Sequence, residues 1–258
     1  MRSRVTRGLA LVVLASTTLA CSGSSDGATP EAAGRPTFSS TTSTTGTTGT
    51  TPTTVALVGK DLVVTEQGVS SFPDPYDATA TLGGYGVVLR NPNPDLVATG
   101  VRVTTRVLDA AGVELLVDST LLNAVLPTGE MAVGRTLIEP IDGPSTLAVA
   151  IEVSAWLRPA RGPGAMVVSD VVTGPEESGG SVTTFTVRST LPDTEEGVDI
   201  TAIYRATDGR ILGAESTTLA RVPAGEAVRG QIRLLSPIPD LVTTEVYVGR
   251  GFAALTGD

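Results

Sequence analysis

Cysteine occurs once in this chain, at position 21, and histidine does not occur at all. Those two facts remove most of the usual reactive apparatus. Without histidine there is no Ser-His-Asp or Cys-His arrangement to activate a nucleophile, and no imidazole to bind zinc. A single thiol forms neither an intramolecular disulfide nor a cysteine metal site. What remains for chemistry is carboxylate oxygen. Asp74, Asp77 and Asp95 could meet Ca²⁺, a hard cation that takes several oxygen ligands, but their spacing matches no known loop for it, and solvated charge is the simpler reading. Glu176-Glu177 and Glu195-Glu196 are adjacent pairs among Gly, Pro and Ser. Glycoside cleavage needs two carboxylates held about 5–10 Å apart in a cleft, whereas neighbours on a strand face opposite ways. Both pairs therefore read as solvated loop charge.

The aromatic residues point to contact rather than catalysis. Phe, Tyr and Trp total nine, too few to fill cores and also build stacking platforms for sugars or bases. Two fall close together in Phe72-Pro73-Asp-Pro-Tyr76. The functional reading is a rigid, exposed contact loop formed by Phe72, Pro73 and Tyr76; the plainer one is that both rings cap the open end of a β-sandwich. Asn91-Pro-Asn-Pro-Asp95 has the same two readings. Trp156 reads as a core or inter-domain anchor.

The first residues set the address. Arg2, Arg4 and Arg7 precede an uncharged apolar run from Gly8 to Ala20, and then Cys21. A basic start, a short apolar stretch and a small residue at its end are the parts of a secretory signal. The run falls short of the roughly 20 apolar residues that a spanning helix needs. Thr18-Leu-Ala-Cys21 resembles the lipobox of bacterial lipoproteins, with Thr18 where that family usually has Leu. The resemblance implies cleavage before Cys21 and diacylation of its thiol, which also gives the lone cysteine a purpose. Loss of residues 1–20 would take the net charge from −9 to −12 by removing three arginines. So acidic a chain repels nucleic acid and anionic head groups.

Behind the cysteine, Thr37–Thr54 contains eleven Thr and three Ser with Gly46, Gly49 and Pro52. Such a stretch has too little apolar surface to offset its chain entropy and is expected to be a disordered tether. From Val55 the pattern becomes short β-type segments between Gly, Pro, Asn and Asp. Asp61–Thr65, Gly86–Arg90, Val101–Val107, Met131–Ile138 and Leu147–Trp156 read as strands. In the third, Val101, Val103 and Val107 share one face and Arg102, Thr104 and Arg106 the other, the period of a half-buried strand.

The pattern then repeats. Gly100-Val-Arg-Val-Thr-Thr-Arg-Val-Leu-Asp-Ala-Ala-Gly112 aligns without gaps on Gly197-Val-Asp-Ile-Thr-Ala-Ile-Tyr-Arg-Ala-Thr-Asp-Gly209, and Leu126-Pro-Thr-Gly-Glu130 on Val222-Pro-Ala-Gly-Glu226. A repeat this long means two similar globular domains rather than a solenoid, with a hinge in Arg158–Gly164. A strand ending in an apolar-aromatic-Asp turn, then Gly, a second strand and a Pro-x-Gly-Glu turn, resembles the FxLYD type of domain. Leu108 stands where that motif has Tyr, and Arg205 where it has Asp. The resemblance implies an immunoglobulin-like sandwich and carries no catalytic residue.

The expected organisation is a signal peptide over residues 1–20 and a lipid-anchored, disordered Thr/Ser/Gly-rich linker over 21–54. Two tandem immunoglobulin-like antiparallel β-sandwiches follow, over 55–160 and 165–258: an all-β protein. Its expected role is a non-catalytic binding or accessory module on the extracytoplasmic face, membrane-held through Cys21, without cofactor, metal site or nucleic-acid partner. An envelope protein or cell-wall component is the partner class. The rival readings are a structural spacer and, less well supported, a cell-wall-acting enzyme.

Overall fold

The computed structural model describes residues 56–251, apart from 75, 76, 78, 138–140, 142, 144, 160–163 and 178. All of them lie in one compact unit, Thr53–Asp258. The signal sequence, Cys21 and the Thr-rich tether lie outside the described residues.

Alternation of apolar and polar side chains marks many of the strands, and no described residue is helical. The first six strands are β1 (Val63–Pro73), β2 (Thr81–Arg90), β3 (Val97–Leu108), β4 (Glu114–Val125), β5 (Glu130–Leu137) and β6 (Thr146–Leu157). The second six are β7 (Met166–Pro175), β8 (Ser181–Ser189), β9 (Glu195–Arg205), β10 (Ile211–Val222), β11 (Ala227–Leu234) and β12 (Thr243–Val248). They form four three-stranded antiparallel sheets: A (β1-β2-β5), B (β4-β3-β6), C (β7-β8-β11) and D (β10-β9-β12). Adding six to each strand number of sheets A and B gives sheets C and D. The repeat in the sequence is thus a repeat of topology.

Sheets A and B enclose one core, in which Tyr85, Val87 and Leu89 meet Val101, Val103 and Val107. Sheets C and D enclose a second, built on Phe185, Val187, Ile200, Tyr204 and Ile232. On β3 the three valines are fully buried while Arg102 and Arg106 are exposed, as the alternation requires. The turn residues behave as their chemistry dictates. Asp109 Oδ1 accepts from the amides of Ala111 and Val113 at 2.9 and 2.8 Å, and Gly112 takes a left-handed φ of 81° that a Cβ would oppose. Its counterpart Gly209 has φ 82°, beside Asp208, which accepts from the Arg210 amide.

Two elements differ from the sequence expectation. β1 runs on to Pro73, so Phe72 and Pro73 belong to a strand rather than a loop. β4 was not expected at all, because Leu115-Leu116 and Leu121-Leu122 place apolar side chains on both faces and erase the period of two. Its outward Leu115, Val117 and Leu121 are 45%, 46% and 58% exposed.

The two halves are packed against each other. The outer face of sheet A lies on the outer face of sheet D, where Val88 and Ala132 meet Ile203, Ile211 and Ala214 in a buried cluster. The approach is close because side chains are missing. A Cβ on Gly84 would collide with the Leu212 carbonyl and come within 2.9 Å of Gly213 Cα, and one on Gly134 would lie 2.8 Å from Ala214 Cβ. Layer order is therefore B, A, D, C.

Candidate functional site

The aromatic loop is the first place to look. Phe72 is only 6% exposed, and its ring joins the core of the second half together with Leu82. It anchors sheet A to the other half and offers no exposed surface. Pro73 is exposed at the end of β1, and Tyr76 and Cys21 lie outside the described residues. Asp77 organises its own turn, accepting from the amide and hydroxyl of Thr79 at 2.9 and 2.7 Å; the hydroxyl and then the amide hold its carboxyl below the usual range. Asp95 is 4.0 Å from Arg158. The structure does not gather Asp74, Asp77 and Asp95: among the described residues no three carboxylate, His or Cys groups are placed to share a metal. Trp156 packs against the first core.

Asn91 and Asn93 are buried and internally bonded. Asn91 donates to the carbonyls of Leu96 and Val125, and Asn93 exchanges hydrogen bonds with the Lys60 backbone at 2.8 Å in both directions. The Asn-Pro-Asn-Pro stretch is a structural lock.

Glu195 corrects the sequence reading. It opens β9, is fully buried, and accepts from Arg250 Nε and Nη2 at 3.1 and 2.5 Å. Its Oε2 has no partner. Only Glu196 of that pair is exposed, and Glu176 is bound by Arg233 at 3.1 Å.

The seam between sheets A and D holds the polar groups that sequence reasoning missed. Arg205 Nη2 lies 2.7 Å from Glu66 of β1 and 2.8 Å from Glu245 of β12. Burial works against its charge, but Glu245 and Glu66 more than offset that and hold its pKa above the ordinary value. Arg205 thus joins the two halves. Tyr247 donates to Glu245 at 3.1 Å; burial, reinforced by that carboxylate, pushes its hydroxyl up to about 12. Ser70 donates to the Ile211 carbonyl at 2.5 Å and accepts from Arg210, and Thr136 donates to the Ala214 carbonyl. These contacts fix geometry; none presents an activated nucleophile.

Asn123 of β4 donates to Asp199 of β9 at 2.9 Å, and burial raises the Asp199 pKa. A folded-state pKa above the unfolded one favours the protonated fold, so this group's contribution weakens as pH rises through that interval. Asp199→Asn keeps the acceptor oxygen and removes the charge. Its melting temperature at pH 7 is expected to exceed wild type by on the order of 1–3 °C, with the gain vanishing below pH 3.8. A gain that persists there would remove burial of the charge as the cause.

A groove of about 410 Å³ opens between the β4–β5 turn and strands β7 and β12. Leu126, Met131, Met166, Val168, Val246 and Val248 make its walls mainly apolar.

No protein-family model and no curated protein matches the chain. Among solved structures, an exo-chitosanase of Amycolatopsis orientalis in complex with a nitrophenyl glucosaminide is 14% identical with a TM-score of 0.18. The alignment covers 67% of this chain and 23% of that enzyme. A likeness at that level bears on neither fold family nor activity.

Proposed function

We propose that this chain is a lipid-anchored envelope protein whose two halves are tandem immunoglobulin-like sandwiches, displayed as a non-catalytic binding or accessory module. The carrying observation is the seam. Glycine-lined docking of sheet A on sheet D, with the Glu66–Arg205–Glu245 bridge across it, makes one stiff body whose outer sheets face away from each other. Such a body suits presentation of a surface at the end of a flexible stalk of about 30 Å r.m.s. reach. The basic start, apolar run and Cys21 supply the anchor in this reading.

Wild-type protein is expected to partition into the detergent phase, with Cys21→Ser appearing in the aqueous phase or as uncleaved precursor. Mature wild type found wholly in the aqueous phase would end the lipid-anchor reading. For the module, pull-down from solubilised envelope with the tagged chain should recover the same component repeatedly, and recovery of none favours the spacer.

A further inference from the structure

Sheets A and C are topological equivalents, yet their outer faces have opposite character. In sheet A the outward pair Val88–Ala132 and the pair Gly86–Gly134 lie against sheet D. At the matching places of sheet C stand the pairs Thr186–Arg229 and Thr184–Gln231. Arg188 and Arg233 complete the face, and Ser169, Val167 and Val172 form its margin on β7. Arg188, Arg229, Gln231 and Arg233 are all exposed. Long cationic side chains there forbid the close approach that glycines permit in sheet A. A third repeat or a second copy therefore cannot dock as the first half docks on the second. Sheet B, the face such a copy would have to meet, carries exposed Arg102 and Arg106, long side chains that likewise prevent a close approach.

From this we infer that the outer face of sheet C binds a linear phosphate polymer. The inference rests on the binding-module reading and narrows it to one face and one ligand chemistry. The chain as a whole is acidic, with net charge −9, yet this face holds three arginines. No ion pair among the described residues involves Arg188 or Arg229. Arg233 is paired with Glu176 at 3.1 Å on this exposed rim and still presents outward donors, so Arg188 and Arg229 carry most of the uncompensated charge, while Asp170 accepts from the Ser169 hydroxyl at 3.0 Å. Arg229 and Arg188 are diagonal neighbours on adjacent strands, about 7–8 Å apart at their bases. Arg233 lies four residues along β11, about 13 Å further at the usual strand rise. The cations thus form a row that follows an extended chain, and guanidinium groups engage phosphate oxygens two at a time. Thr184, Thr186 and Gln231 add neutral donors between them. At physiological salt the remote acidic charge is screened beyond about 8 Å, so the local face decides.

The test uses the full chain in mild detergent, with fluorescently labelled inorganic polyphosphate. Saturable binding at 50 mM salt is expected, weakened on the order of tenfold at 200 mM by counterion return to about three contacts. Arg188→Gln/Arg229→Gln/Arg233→Gln should weaken it at least tenfold with an unchanged melting temperature. Should that variant melt early, Arg229→Gln alone should still weaken binding about threefold. Arg102→Gln/Arg106→Gln on sheet B should leave it unchanged. The proposal is overturned by absence of wild-type binding, by equal losses in the two sets, or by polyglutamate binding as tightly. If it fails while pull-down still recovers a component with the triple variant, only the assignment to this face falls.

Discussion

Arg250→Met is expected to cost the fold about 3–5 kcal/mol, read as a shifted midpoint in urea unfolding, because it leaves Glu195 charged and buried without a counter-ion. The pair is one-sided already. Arg250 reaches only Oε1, and Oε2 has no partner, so the remaining oxygen cannot take over what the guanidinium supplied. The cost should be strongly non-additive. Glu195→Leu combined with Arg250→Met should recover most of the loss, since an apolar pair of similar volume avoids desolvating two ions. A single Arg250→Met variant within about 1 kcal/mol of wild type would mean that water reaches Glu195 and that the pair is ornamental. The location sharpens the test. Glu195 begins β9 and Arg250 follows β12, so the pair fastens the end of the last strand to the start of the middle strand of sheet D.

Gly84→Val should be as damaging for a different reason. The new Cβ would meet backbone, the Leu212 carbonyl and Gly213 Cα, and neither can swing aside like a side-chain tip. The halves must part or sheet A must buckle, at a cost of about 3 kcal/mol or more, roughly 6–12 °C in melting temperature for a unit of this size. Separation exposes Ile203, Ile211 and Val88, so the variant should also gain dye-binding apolar surface before the main transition. Gly112→Val, in an open turn with nothing within 4 Å, controls for backbone strain alone: it should lower stability by about 1–2 kcal/mol without that early exposure. An undamaged Gly84→Val would show that the seam is loose and that the halves fold independently.

Much of the architecture was legible because its signals are local. Val101, Val103 and Val107 announce β3 through their spacing, and Asp109 with Gly112 announces the turn that ends it. The repeat of topology was visible because Gly100 and Gly197 open matching runs of residues. β4 escaped because its leucine doublets face both ways. Phe72 reads as part of a contact loop or as a sandwich cap because five adjacent letters carry two rings and two prolines, whereas its burial depends on residues more than 100 positions away. The same holds for Glu195, read as solvated from its neighbours although its partner lies 55 residues on. Arg205 gave no local sign of its role, because its partner Glu66 belongs to the other half. Polar groups that act across a fold leave no periodicity in sequence.

The seam also bears on which exchanges the two halves can accept. Because Gly84 and Gly213 lie against each other, and Ala132 shares a cluster with Ile211, the halves are not interchangeable. Reversing their order would set Arg229 and Thr186 against a neighbour's sheet and leave a bald strip of glycine, valine and alanine facing water. A larger side chain at 84, 86 or 134 would need a compensating change at 203, 211, 213 or 214, while Gly112 and its twin Gly209 face open space and carry no such tie. Two halves alike in topology thus form a single unit in their packing.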